Sequence, residues 1–172
     1  MDFGVHLVET HMRKMDLTVV YTNDSVMVKD SINTMEQFLV EDDKYKVVCF
    51  DLAYTGGHVG HDQKFAITQL CMHHHVLLYQ HCLATLPCER FTRFVNIHNY
   101  RFAMVDNTND QKVLETLGLA YEKLVDIHGY YKIWGSKKDM DSHVDLVEAI
   151  IDPYYGGMNV ECDKDKPVWH MA

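Results

Sequence analysis

The sequence predicts an α/β domain in which a mixed sheet is flanked by helices. A nearly continuous apolar segment at residues 46–52 reads as a buried strand, and two more strand-like segments follow it at residues 65–72 and 76–79. Helix-like and strand-like segments then alternate. With 172 residues, 47% of them hydrophobic, one core can bury about 70% of the unfolded surface. We therefore expect residues 1–172 to form a single domain that needs no disulfide or metal to fold.

The first forty residues predict a short hairpin followed by a helix. Residues 17–21 and 26–28 are rich in β-branched side chains and flank a polar turn at residues 23–25. Ser31 is a residue type that caps helices, so we expect a helix from there through residue 40. An apolar stripe at helical spacing should form one face of this helix. Its members are Ile32, Met35, Phe38 and Leu39.

The middle of the chain predicts a three-stranded antiparallel meander. The strand at residues 46–52 lacks polar alternation, which is typical of a central strand covered on both faces. A Gly56-Gly57 turn precedes the second strand, and the three histidines at residues 73–75 form the turn to the third.

Alternating helices and strands are expected after the meander. The segments are a helix at 86–95, a strand at 101–105, a helix at 110–117 stopped by Gly118, a strand at 123–127 and a helix at 142–151. Three antiparallel strands followed by such units are the order of a ribonuclease-H-like fold. Residues 153–172 should be an irregular acidic tail.

Cysteine content and the N-terminal sequence favour an intracellular protein. The five cysteines are an odd number, and at least two lie in apolar, strand-like segments, where cysteine acts as a small hydrophobe in a reducing compartment. The N-terminus carries Asp2 and Glu9 and has no apolar run, unlike a leader peptide. No segment approaches the length of a membrane span. We expect the nucleus or the cytoplasm, with no membrane association.

The charge balance argues against tight binding of nucleic acid. Acidic side chains outnumber basic ones by 25 to 16, giving a net charge of −9, and the excess is concentrated in residues 139–165. Such a segment would repel a phosphate backbone, although it could equally be an ordinary solvated surface. Nucleic acid is therefore a possible but disfavoured partner.

Two segments ending in carboxylates carry the most specific pattern. The strand from Lys46 reaches Asp51 before Ala53, and about sixty residues later the segment from Phe102 ends at Asp110. Their order and spacing resemble the first two motifs of the DEDD family of 3′–5′ exonucleases, on the branch of the Werner-syndrome exonuclease and its plant relatives. The resemblance extends over residues 17–169, and no single short motif in it is decisive.

The resemblance implies a site that binds two divalent ions, Mg²⁺ or Mn²⁺, through four carboxylates. Asp51 matches the first carboxylate and Asp110 the motif-two Asp, but Ala53 stands where the family has Glu. The third motif, a Tyr or His four residues before an Asp, should follow residues 167–169, and the sequence ends at Ala172. The implied protein is a degenerate, C-terminally truncated exonuclease that lacks the last helix and holds metal weakly or not at all.

Alternative site residues are weaker candidates. His58 and Asp62 match the third-motif spacing but stand out of order, while Tyr155 is followed at the right distance by Asn159, which is not anionic. Asp51 could simply be a polar strand end, and Asp110 a favourable charge in the first turn of a helix. A transition-metal site is a separate possibility. If residues 71–75 are extended, the side chains at 71, 73 and 75 project to one face, where they could bind a metal such as zinc. Its candidate ligands are Cys71, His73, His75, His81, Cys82 and Cys88.

Three functions follow. The first is an exonuclease-like protein with impaired catalysis that works by binding, with a homo-oligomer or another protein as partner, since a missing last helix would expose an apolar patch. The second is an active metal-dependent 3′–5′ exonuclease on single-stranded DNA or RNA. The third is a binder of single-stranded nucleic acid that does not cleave it. The enzymatic status is thus uncertain from the sequence.

Overall fold

The computed structural model describes residues 2–9, 14–41, 46–54, 65–105, 111–119, 121–127 and 129. The helix expected at 142–151, the Gly56-Gly57 turn and the acidic tail at 153–172 lie outside these residues. In chain order the elements are β1 (Asp2–Glu9), β2 (Lys14–Thr22), α1 (Ser25–Glu41), β3 (Val47–Tyr54), β4 (Phe65–Met72), β5 (His75–Gln80), α2 (Glu89–Asn96), β6 (Arg101–Met104), α3 (Gln111–Thr116) and β7 (Leu124–Asp126). Within these ranges, no helix is both long and apolar enough to cross a membrane.

The strands of the described ranges form one mixed sheet in the order β1-β2-β5-β4-β3-β6-β7. The β3–β4–β5 meander is antiparallel, as predicted, and β6 and β7 continue the sheet parallel to β3. β3 lies in the interior of the sheet between β4 and β6. The predicted fold class is therefore confirmed: an antiparallel meander is followed by parallel strands with intervening helices.

The predicted hairpin at residues 17–28 is wrong in its second strand. The Asp24 Oδ1 atom accepts a hydrogen bond of 2.7 Å from the backbone N–H of Val26, and the Asp24 carbonyl accepts one of 3.0 Å from Val28. Asp24 thus caps α1, and this cap outweighs the β preference of the two valines. β2 instead pairs antiparallel with β1 and parallel with β5.

Ser31 lies inside α1 instead of capping it. Its Oγ atom is 2.7 Å from His75 Nε2 in a buried contact that ties α1 to the start of β5. The helix itself is confirmed, with an earlier start. The four predicted stripe residues are buried in the core or packed against it: Ile32, Met35, Phe38 and Leu39.

The two faces of the sheet differ in burial. Val48, Phe50 and Leu52 are buried, whereas Cys49 between them is exposed. The expectation that β3 is covered on both faces is therefore wrong at Val47 and Cys49, which are exposed. Toward the end of β3 this face is partly covered, since Ile67, opposite Ala53, is buried. We call the side of Phe50 the helix face and the side of Asp51 the Asp51 face.

Hydrogen bonds to the last carbonyls of α2 and α3 hold the C-terminal ends of these two helices. Lys123 is buried, and its Nζ donates hydrogen bonds of 3.4 and 3.1 Å to the carbonyls of Val95 and Ile97 at the end of α2. Burial lowers the pKa of Lys123. α3 stops at Gly118, as predicted: this residue has φ +74°, and the N–H of Leu119 reaches back 2.9 Å to a carbonyl of the last turn.

Candidate functional site

The carboxyl ends of several strands meet at one edge of the sheet. β3, β6 and β7 are parallel, and β5 runs in the same direction because both β3 and β5 are antiparallel to β4. In α/β sheets ligands bind in the crevice outside such strand ends. Of the residues that the sequence singles out, Asp51, Ala53 and His81 lie at or near this edge.

Asp51 lies three residues before the end of β3 and is half-buried on the Asp51 face. It is opposite Gln69 in the β3–β4 register, and Gln69 Nε2 donates a hydrogen bond of 3.0 Å to Asp51 Oδ2. An amide N–H directed at a carboxylate oxygen occupies a lone-pair direction that a cation would use. Gln69 is a partner of Asp51 that sequence analysis missed, because the contact depends on strand register.

Ala53 follows Asp51 on the same face, because strand side chains alternate with a period of two. It is half-buried, opposite Ile67, and the β3–β4 register shifts immediately after it. A glutamate here would share the face of Asp51, as the exonuclease resemblance requires. The methyl group of alanine offers no ligand to a metal ion.

The second predicted carboxylate, Asp110, lies outside the described residues. The structure describes β6 up to Met104 and α3 from Gln111 onward. His58, Asp62, Tyr155 and Asn159 also lie outside these ranges. Of the predicted exonuclease site, the described ranges therefore contain Asp51 and Ala53.

Asp126 is a further carboxylate at this edge, to which sequence analysis gave no role. It is the last residue of β7 and is opposite Met104 of β6. Phe102, two residues before Met104 on β6, is opposite the buried Val48 and so lies on the helix face. Because strand side chains alternate, Met104 lies on the helix face too. The register thus directs Asp126 to the face opposite Asp51. Its sequence signal is a strand that ends in a carboxylate.

The donor set in the described ranges does not fit a pair of divalent ions. Among the residues described there, no group of three or more His, Cys, Asp or Glu side chains could hold a metal ion. Hard cations require several oxygen ligands, and Asp51 supplies one carboxylate that already accepts from Gln69.

The predicted transition-metal face is wrong for its central residues. The chain reverses at His73, which has φ +52°, so the alternation from Cys71 through His75 is broken. Cys71 lies on the Asp51 face, opposite Cys49, whereas His75 is opposite the buried Met72 and bonds to Ser31. These residues therefore do not converge.

His81 lies at the same edge, on the helix face. Its Nε2 atom is 2.8 Å from Thr68 Oγ1, and its ring centroid is 3.9 Å from that of Tyr79 and 5.1 Å from that of Phe91. Burial lowers the pKa of His81 to about 4, so the ring is neutral at pH 7. It lines a cavity of about 220 Å³ together with Tyr79, Phe91 and Gly118.

Cys49 and Cys71 face each other on the Asp51 face, and both thiols are free. Desolvation by neighbouring protein atoms raises the pKa of each thiol, and the proximity of Cys49 raises the pKa of Cys71 further.

Sequence comparison identifies no relative. No family model matches this chain, and no curated protein sequence matches it either.

Structural comparison finds exonuclease domains. The Aedes aegypti Nibbler EXO domain matches with a TM-score of 0.59 at 10% identity, over 77% of this chain and 68% of that one. Trypanosoma brucei RNase D in complex with RNA U12 matches with a TM-score of 0.60 at 13% identity, over 89% of this chain and 53% of that one. The EXD2 exonuclease domain soaked in Mn and GMP matches with a TM-score of 0.53 at 12% identity, over 77% and 69%.

These similarities lie at the level of the fold. This chain spans about half the length of the Trypanosoma RNase D chain that it matches. The order of the strands and the position of Asp51 near the carboxyl end of an interior strand agree with the architecture expected from the sequence. The chain therefore has the ribonuclease-H-like fold of 3′–5′ exonuclease domains.

Proposed function

We propose that this chain is a degenerate exonuclease-like protein, nearest to the Werner-syndrome branch, that acts by binding another protein and cleaves nucleic acid weakly or not at all. The observation that carries this proposal is the pair of side chains at the end of β3. Asp51 is held by an amide donor from Gln69, and Ala53 stands on the same face without a ligand atom.

The chemistry of two-metal cleavage supports this proposal. One ion activates the attacking water and the other stabilises the leaving oxygen, and the protein must hold both in fixed positions. Asp51 and Asp110 together would leave a pair of dications undercharged by about two units. If Mg²⁺ or Mn²⁺ binds at all, these two residues would hold it, and its affinity should be low.

The charge of the chain favours a protein over a polynucleotide as partner. A net charge of −9 opposes the phosphate neutralisation that dominates nucleic-acid affinity. Two large apolar side chains, Leu86 and Val26, are 72% and 62% exposed. Val26 and Pro87, the residue after Leu86, line the same cavity of about 340 Å³, so the two exposed side chains belong to one region of the surface. A second copy of the chain is the simplest partner.

A nuclease assay tests the proposal. The purified protein is incubated with 5′-labelled single-stranded DNA and RNA in Mg²⁺ and, separately, in Mn²⁺. We expect no shortening above the level given by the Asp51→Asn variant. Processive loss of nucleotides from the 3′ end that Asp51→Asn abolishes would overturn the proposal.

The second candidate is an active, metal-dependent 3′–5′ exonuclease. It is favoured by the position of Asp51 near the carboxyl end of an interior strand and by a structural neighbour that was soaked in Mn and GMP. In this case further ligands would come from residues outside the described ranges. The same assay separates the two candidates.

Measurement of the mass in solution tests the choice of partner. Light scattering during size exclusion should give a mass of about twice the 20.0 kDa of one chain if a second copy is the partner. A monomer at all concentrations would instead favour a different protein. Substitution of Leu86 by Ser should weaken the dimer, whereas substitution of the exposed Thr85 by Ser should not.

A further inference from the structure

Cys49 and Cys71 form a cross-strand pair in the antiparallel β3–β4 ladder. Residues directly opposite each other in such a ladder project to the same face. The next pair on this face is Asp51 with Gln69, two residues along each strand. The cysteine pair is therefore a direct neighbour of the Asp51–Gln69 pair.

The ladder brings the two thiols close to the geometry of a disulfide. Opposite Cβ atoms in an antiparallel pair are about 4.5–5.5 Å apart, and those of a relaxed disulfide are about 3.8 Å apart. Opposite Cα atoms, at about 4.5–5.5 Å, lie within the range that a disulfide spans. A bond therefore requires a local adjustment of about 1 Å and no rearrangement of the fold.

The pair is accessible to a reagent. Cys49 is exposed and Cys71 is half-buried, and both are free thiols. Cys82 is exposed as well, but it lies in the short 3₁₀ turn at His81–Leu83, beyond the opposite end of the β4–β5 ladder from Cys71. Cys82 therefore serves as a control: it is an exposed thiol that is not opposite another cysteine in the β3–β4 ladder.

We propose that Cys49 and Cys71 are a site of reversible oxidation and form a cross-strand disulfide beside Asp51. The oxidant is a low-molecular-weight disulfide such as oxidised glutathione. The thiolate of Cys49 attacks one sulfur of this reagent, the S–S bond breaks, and one thiol leaves. The thiolate of Cys71 then attacks the Cys49 sulfur of the mixed disulfide and releases the second thiol. Two protein thiols lose two electrons and two protons, and the reagent becomes two thiols.

The product should be easy to reduce. Because opposite Cβ atoms start farther apart than in a relaxed disulfide, the bond pulls β3 and β4 together, and strained disulfides are the more reducible ones. The bond would also restrain both strands next to Asp51 and Gln69. The disulfide should therefore be a reversible cross-link and not a permanent structural bond.

Mass spectrometry tests this proposal on the full chain. The purified, reduced protein is equilibrated with oxidised glutathione, remaining thiols are alkylated, and the non-reduced digest is analysed. We expect a peptide that joins Cys49 to Cys71, with two of the five thiols protected, and complete reversal by dithiothreitol. The Cys82→Ser variant should give the same linked peptide, and Cys49→Ser should not.

Three results would overturn the proposal. They are alkylation of both Cys49 and Cys71 after oxidation, glutathione adducts on either residue without a link between them, and a link from either residue to another cysteine. The experiment on the unsubstituted chain decides among these outcomes even if a variant folds poorly. It is also independent of nuclease activity, so its result does not depend on the proposed function.

Discussion

Gln69 Nε2 donates a hydrogen bond of 3.0 Å to Asp51 Oδ2 across the β3–β4 ladder. The donor is neutral, so it satisfies one carboxylate oxygen without supplying positive charge. A metal ion at this oxygen would share its lone pairs with the amide group. This contact gives Asp51 a structural role in the sheet that does not require a metal.

The Asp51–Gln69 contact should be measurable as a coupling energy. We expect a double-mutant cycle of Asp51→Ala and Gln69→Ala, followed by urea unfolding, to give a coupling of about 1 kcal/mol, because the acceptor is charged and half-buried. As a control, Gln69→Ala combined with Asp30→Ala on the exposed side of α1 should be additive within about 0.3 kcal/mol. A coupling near zero for the first pair would contradict this role for Gln69.

Restoring the missing carboxylate should not create an exonuclease. Ala53→Glu places a second carboxylate on the Asp51 face. Together with Asp110, the variant would then have three of the four metal-binding carboxylates of the exonuclease family. We therefore expect shortening of labelled single-stranded DNA and RNA to stay at the level of the Ala53→Gln control. Strong metal-dependent activity in Ala53→Glu alone would show that the remaining ligands are present.

His81 should make the stability of the protein sensitive to mild acid. Its folded pKa of about 4 lies below the ordinary 6.5, so between these values the unfolded chain binds a proton that the folded chain does not. Stability should therefore be fully present above pH 6.5 and fall as the pH drops toward 4. Because the ring is partly exposed, we expect a loss of about 2 kcal/mol from this residue.

The His81 effect is checked by urea unfolding of the unsubstituted chain and of His81→Phe at several pH values. His81→Phe should flatten the fall between pH 6.5 and 4, whatever its absolute stability. Some dependence should remain, since burial also lowers the pKa of His75. Substitution of the exposed Thr85, which does not titrate, by Ser serves as the control and should leave the slope unchanged. An unaltered slope in His81→Phe would refute the prediction.

Gly118 should be intolerant of a side chain. Its φ of +74° is a left-handed conformation that costs an L residue about 1–2 kcal/mol, and an added Cβ would lie 3.2 Å from Asn96 Nδ2. We expect Gly118→Ala to lower the free energy of unfolding by about that amount in urea titrations. In Gly129→Ala the added Cβ would meet Asp126 at an ordinary 3.8 Å, so a clearly smaller change is expected there.

Local patterns in the sequence predicted several elements because their signals do not depend on distant residues. The stripe from Ile32 to Leu39 repeats at helical spacing, and Gly118 marks the end of α3. The hairpin at residues 17–28 failed because β-branched residues favour strands in general, whereas the Asp24 cap commits Val26 and Val28 to a helix.

The sequence by itself determined the strand that carries Asp51, the alanine at position 53 and the acidic balance of the chain, because these follow from residue identity and short-range periodicity. Only the tertiary structure decided which groups meet. Strand register pairs Asp51 with Gln69 and Cys49 with Cys71, separates Cys71 from His75 and directs Asp126 to the other face. Register and chain reversal join residues far apart in the chain, and a shift of one residue would exchange the two faces of a strand.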